Sequence, residues 1–244
     1  MNRDGLIVQA RQGYTLTFDP ETHSYTLQKD GQKHVLPSVT RVLSIIAKPK
    51  VNAWAMELMA RHILDNYSSA SPENLALLVQ EARETPLEAS RKATQTGSEV
   101  HDWIEAFLQG ESRELPEDPS SLQAVRAFLG WWEEEEREVL LSEEIVAHPG
   151  LLYAGKIDLL LADGTLVDFK TSKGLYPEHE LQLGGYALAL EAWRGSRPRK
   201  GLLVRVGKDG SAQTREVNLE SAREHFIHAL ALYRFLERGG GMSR

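Results

Sequence analysis

Hydrophobic and polar positions change period twice along the chain. Residues 14–18 alternate in the period of two that a half-buried strand requires. Residues 23–29 and 34–36 flank Asp30-Gly31, which predicts a β-hairpin. Pro37-Ser38 then opens an apolar run over residues 39–46, read as a short helix capped at its N-terminus by Ser38. From residue 51 to 109 helical spacing dominates, with breaks expected around residues 68–72 and at Thr85-Pro86. In its last part Val100, Ile104 and Leu108 recur every fourth residue. Pro116 and Pro119 mark a loop before a further helix over residues 122–136.

Beyond residue 139 the period shortens again. Residues 139–147, 152–162 and 165–170 read as successive strands, the last two joined at Asp163-Gly164 by what reads as a two-residue turn. A helix over 181–193, strands over 201–206 and 212–217 either side of Asp209-Gly210, and an amphipathic helix over 220–237 complete the chain. The last helix turns Phe226, Leu230, Tyr233 and either Leu236 or Ala229 inward. This order predicts one α/β unit: an N-terminal β-hairpin region over 1–37, a helical region or cap over 38–137, and a core of mixed sheet and helices over 138–244. It does not match a doubly wound dinucleotide-binding fold.

Composition narrows the picture. With 41% hydrophobic and 26% charged residues, the 244-residue chain is neither disordered nor membrane-spanning in character. The absence of cysteine excludes disulfides, thiolate zinc sites, iron–sulfur clusters and a cysteine nucleophile. A net charge of −7 disfavours a protein that coats nucleic acid, though not one that cuts it. Met1-Asn2-Arg3-Asp4-Gly5 leads into no apolar segment, so a cytoplasmic location is expected.

The chemistry centres on Asp168-Phe169-Lys170. On a strand, Asp168 and Lys170 share one face while Phe169 enters the core. A carboxylate that grips a divalent ion beside an ammonium that orients water suits metal-assisted hydrolysis. An Asp-x-Lys triplet by itself arises by chance about once in a chain of this length. Asp158 adds weight, because an acid between Ile157 and Leu159-Leu160-Leu161 is costly unless paired or metal-bound. A two-residue turn sets Asp158 opposite Phe169, on the wrong face to meet Asp168, so a bulge or a one-residue shift is required. His101 lies one turn after Gly97, where the missing side chain admits a close neighbour, and offers a nitrogen ligand that favours Mn²⁺ or Mg²⁺ over Ca²⁺. Glu143 is a further candidate ligand, or a solvated carboxylate. Six cations between Arg194 and Lys208 are a candidate phosphate-contacting patch or a solvated edge. Trp131-Trp132 reads as core, with base stacking as the lesser alternative, and Glu133-Glu134-Glu135-Glu136 as an exposed helix end.

With these positions assembled, the sequence resembles the PD-(D/E)XK nucleases, in particular their RecB-like exonuclease branch. The resemblance covers about residues 38–186. It is carried by Ser38-Val39-Thr40-Arg41, Gly97-x-x-x-His101, Glu143 with Tyr153-x-Gly155-x-x-Asp158, Val167-Asp168-Phe169-Lys170-Thr171-Ser172, and Leu181-Gln182-x-x-x-Tyr186. It implies a restriction-endonuclease-like core with a central mixed sheet. It also implies one or two Mg²⁺ or Mn²⁺ ions on His101, Asp158, Asp168 and the Phe169 carbonyl. Lys170 would position or activate water, and Glu143 would support the metal or water network. Gln182 and Tyr186 would sit at the site and contact the DNA strand or orient Lys170, with Ser38 and Arg41 near the substrate backbone.

The function so implied is a DNA exonuclease acting at single-stranded or frayed ends, in repair, recombination or phage replication, with a helicase, recombinase or single-strand-binding protein as partner. The rivals are an endonuclease of the same fold and a non-catalytic DNA-binding or assembly protein on this scaffold.

Overall fold

A computed structural model of the chain describes residues 6–134 and 136–239. The expectations for Met1-Asn2-Arg3-Asp4-Gly5 and for Glu135 therefore lie outside the described residues.

Residues 7–36 form more than a hairpin. Four antiparallel strands, β1 (Ile7–Arg11), β2 (Tyr14–Asp19), β3 (Ser24–Lys29) and β4 (Gln32–Leu36), follow one another in a meander. Asp30-Gly31 makes the expected two-residue loop between the paired Lys29 and Gln32, with φ of 49° and 79°. Gln12-Gly13 does the same between Arg11 and Tyr14, at φ of 51° and 78°.

Helix α1 (Val39–Leu43) follows, with Ser38 Oγ accepting from the Arg41 amide at 3.0 Å as the N-cap. Helix α2 (Pro49–Asn66) buries no residue fully and packs against the N-terminal part of the next helix, α3 (Leu75–Leu108). A 3₁₀ turn, Tyr67–Ser69, lies in the expected break around residues 68–72. The break expected at Thr85-Pro86 is absent, since α3 runs through Pro86. A proline there removes one amide from the ladder, a cost that packing around the buried Ala82 and Pro86 absorbs.

Helix α4 (Pro119–Glu133) starts earlier than expected because Asp118 accepts from the Ser121 amide at 2.9 Å and Pro119 takes the first turn. The central sheet has five strands in sequence order: β5 (Val139–His148), β6 (Tyr153–Leu161), β7 (Thr165–Lys170), β8 (Lys200–Val206) and β9 (Ala212–Val217). Only β7 and β8 are parallel, and their crossover carries helix α5 (Pro177–Arg194). Helix α6 (Leu219–Gly239) packs on α5. Gly184 and Gly185 allow this approach, as a Cβ on Gly184 would lie 2.3 Å from the Ala222 backbone.

The sheet separates two cores. On one side Leu160, Leu166 and Leu203 pack with α5, α6 and the N-terminal sheet. On the other, Leu159, Val167, Phe169 and Val204 meet α3 and α4. Trp131 is buried in this second core and Trp132 packs against it, so the tryptophan pair is core rather than a stacking platform. Phe128 and Trp131 meet the Phe169 ring edge-on at 5.4 and 5.6 Å between centroids. These contacts hold the middle residue of Asp168-Phe169-Lys170 so that its neighbours must face α5. Among the described residues no helix is long and apolar enough to cross a membrane.

Candidate active site

The site forms where β6 and β7 part. Their ladder pairs Leu159 with Val167 and Leu160 with Leu166, one residue away from the register that a two-residue turn imposes. The loop holds three residues, Ala162, Asp163 and Gly164, closed by Gly164 N–H on the Leu161 carbonyl at 3.0 Å, with Gly164 at φ 88°. The shift moves the acids from a staggered to a facing arrangement, Asp158 toward Asp168. Beyond Leu159 no further pair joins the strands, and the Asp158 carboxylate accepts the Phe169 amide at 2.7 Å instead.

A second irregularity aims Glu143. The β5–β6 partners Ser142–Leu159 and Glu144–Ile157 bracket Glu143 and Asp158, and Glu143 adopts φ 53°. A non-glycine residue in this region inside a strand is strained, and such strain persists where surrounding structure enforces it. Ile157 and Leu159, two residues apart, enter opposite cores, so the alternation of β6 breaks at Asp158 as the facing acids require.

Three side chains from three elements then converge. His101 from α3, Glu143 from β5 and Asp158 from β6 each present a ligand atom within 4.8 Å of the other two. His101 Nδ1 lies 3.8 Å from Asp158 Oδ2. Asp168 stands beside this trio rather than within it, 1% exposed, with Oδ2 2.5 Å from Lys170 Nζ. Lys170 donates in turn to Gln182 Oε1 at 3.0 Å, and Gln182 Nε2 donates to the Tyr186 hydroxyl at 2.9 Å. The one-turn spacing of Gln182 and Tyr186 on α5 thus becomes a hydrogen-bonded chain ending on the lysine.

The electrostatics fit a cation. Burial, aided by Asp158, pushes Glu143 up to about 8 despite the Lys156 ammonium. Burial also raises Asp168 above the carboxylate range, with Lys170 opposing. Neither Asp168 oxygen makes a properly aligned hydrogen bond among the described residues, despite the close ammonium. A desolvated carboxylate with unused lone pairs next to a His–Glu–Asp trio is the donor set that a hard divalent cation takes, so the residues present fit Mg²⁺ or Mn²⁺.

Glycines make room for this machinery. A Cβ on Gly155 would lie 2.5 Å from Tyr186 Cε1 and 3.3 Å from Val39 Cγ2. A Cβ on Gly97 would meet Thr171 Oγ1 at 3.2 Å, so Gly97 lets the segment after Lys170 approach α3 below His101.

The remaining candidates divide. Ser38 is tied to β6 through its bridge to Ala154, next to Gly155. Arg41 is exposed and lies 3.7 Å from Glu237 on α6, so it is not brought to the carboxylates. The cations between Arg194 and Lys208 do not form one patch: Arg194 pairs with Glu144, Arg197 with Glu220, and Arg205 donates to the Ser172 carbonyl. Two residues of the site escaped the sequence reading. Lys156 ion-pairs with Glu143 and lies 3.4 Å from Glu105. The signal was present, since Glu105 falls one helical turn after His101 and Lys156 two residues before Asp158.

The chain's residues 73–234 match the family model described as the PD-(D/E)XK nuclease superfamily. No curated protein matches it in sequence. Among solved structures it is similar to the alkaline exonuclease LHK-Exo from Laribacter hongkongensis, at 15% identity and a TM-score of 0.31, over 59% of this chain and 84% of that one. The same exonuclease in complex with dAMP aligns at 16% identity and a TM-score of 0.30, over 76% of this chain and 95% of that one.

Proposed function

Since the chain belongs to the PD-(D/E)XK nuclease superfamily, we propose that it is a Mg²⁺- or Mn²⁺-dependent deoxyribonuclease that removes nucleotides from single-stranded or frayed DNA ends. The observation that carries this reading is the convergence of His101, Glu143 and Asp158 beside the Asp168–Lys170 pair. His101, Asp158 and Asp168, with the Phe169 carbonyl and with Glu143 as a further donor, would hold the ion. When bound, the ion supplies Lewis-acid polarisation of the scissile phosphate and a more acidic water.

The chain's own groups do the rest. The Phe169 amide fixes the Asp158 carboxylate. Lys170, held between Asp168 and Gln182, orients the attacking water and offsets negative charge as it develops on the phosphate. Gln182 and, behind it, the buried Tyr186 keep that ammonium in place. The Lys156 ammonium opposes the rise that burial imposes on Glu143, and Glu105 holds that ammonium from the α3 side. Ser38 stands near the substrate backbone, and the helical arm of α2 and the start of α3 caps the incoming single strand. Repair, recombination or phage replication would supply such ends, with a helicase, recombinase or single-strand-binding protein exposing them.

End-labelled linear DNA and closed circular single-stranded DNA, incubated with and without Mg²⁺ or Mn²⁺, test the proposal. Metal-dependent loss of the linear substrate with the circle intact is expected. Cleavage of the circle indicates an endonuclease instead, and survival of both substrates indicates a non-catalytic binding protein.

A further inference from the structure

Helix α6 has a second face that the fold does not use. Its inner face places Ala222, Phe226 and Leu230 in the core. The outer face is centred on the exposed Ala231 and carries the exposed Ile227 and Phe235, the latter 72% accessible. At 100° per residue, Ile227 and Phe235 lie four residues either side of Ala231, and Glu224 and Arg238 seven residues either side, all within a narrow stripe. Among the described residues neither Glu224 nor Arg238 has an ion-pair partner, although neighbours such as Arg223 and Glu237 do.

This arrangement is self-complementary. If two copies of α6 lie antiparallel about a two-fold axis at Ala231, each residue faces the one at the mirrored position. Ile227 then meets Phe235, and Glu224 meets Arg238, twice over by symmetry. The small alanine at the axis lets the helices close to packing distance. An isologous contact demands this pairing of a patch with its own reverse. A parallel pairing instead sets Glu224 against Glu224 and Arg238 against Arg238. The stripe spans about 21 Å, fourteen residues at 1.5 Å each.

We propose that the outer face of α6 is a homodimer interface, its occupant a second copy of this chain in antiparallel register about Ala231. A contact made by one helix pair is at the small end of specific interfaces, so the dimer is reversible and concentration-dependent. The α2 helix also exposes apolar residues, Met56 and Leu64 among them, but no oppositely charged pair flanks them at mirrored positions.

Sedimentation equilibrium of the full chain across a wide range of protein concentration tests this. The wild type is expected to move from monomer to dimer. Phe235→Glu should abolish the dimer while the melting temperature, read at dilutions where the wild type is monomeric, stays unchanged, because the side chain is 72% exposed. Glu224→Arg and Arg238→Glu, each alone, place like charges opposite one another and should weaken the dimer roughly tenfold. The double variant Glu224→Arg/Arg238→Glu restores opposite charges and should recover the wild-type constant. The proposal is overturned by a wild type that stays monomeric throughout, by a dimer that survives Phe235→Glu, or by a charge-swapped double variant as weak as the singles. Loss of the dimer on Met56→Glu/Leu64→Glu but not on Phe235→Glu would move the interface to α2 and overturn it equally.

Discussion

Gly155→Ala is the sharpest probe of how packing serves the site. The new methyl would lie 2.5 Å from Tyr186 Cε1 and 3.3 Å from Val39 Cγ2. Carbon atoms prefer about 3.5–4.0 Å, so the Tyr186 ring must retreat by about 1 Å. It has little room, being 6% exposed within α5 and joined by its hydroxyl to Gln182. Overpacking of this kind costs about 1–3 kcal/mol. In a chain of this size each kcal/mol lowers the melting temperature by about 2–4 °C, so a fall of about 2–12 °C is expected. Because the ring anchors Gln182 and Gln182 holds Lys170, a shift of about 1 Å should also slow cleavage by roughly 10–100-fold. Calorimetry and a single-turnover assay read the two effects. Tyr186→Leu removes the obstruction, so the double variant should be less destabilised than the sum of the singles by about 1 kcal/mol or more. Strict additivity, or Gly155→Ala with unchanged melting and rate, would refute the reasoning.

Further outcomes follow from the same geometry. Asp168→Asn removes a carboxylate that burial penalises, so it should raise the melting temperature of the metal-free protein at pH 8 while weakening Mn²⁺ binding in calorimetry. Without metal, Glu143 and Asp168 hold their protons above the unfolded carboxylate range. The folded state then binds more protons than the unfolded one, so their contribution is full below about pH 4 and is lost as the pH climbs through the raised folded values. Melting in EDTA should fall from pH 5 to pH 8, and added Mg²⁺ should reverse that fall. Lys170→Ala should retain fold and metal binding yet lose cleavage by orders of magnitude; an active purified variant would remove Lys170 from the mechanism. Phe128→Ala, behind Phe169, should cost about 3–5 kcal/mol in chemical denaturation.

The strands and helices of the central sheet were legible because alternation and helical spacing report burial directly. Residues 212–217 and 165–170 form strands with the expected limits. The requirement that Asp158 and Asp168 share a face was legible as well, because alternation conflicted with a two-residue turn. The loop length that resolves it was not, since Asp163-Gly164 serves a two- or a three-residue hairpin and only the Gly164–Leu161 bond decides. Strand β1 was missed because Gln12-Gly13 is a weaker turn signal than Asp30-Gly31. Pro86 misled because packing of a long helix outweighs one lost hydrogen bond. In the site, Glu143 could be named but not its left-handed backbone, and Lys156 with Glu105 joins elements fifty-one residues apart, a pairing that no local pattern encodes.

The central claim is that side chains from α3, β5, β6 and β7 converge on one divalent ion next to an ammonium. Anomalous diffraction from a crystal of the protein soaked in Mn²⁺ tests it most directly. A peak within coordination distance of His101, Asp158 and Asp168, beside Lys170 Nζ, is the predicted result. A fully soaked crystal with no peak there, or with manganese bound only elsewhere on the chain, would contradict the account.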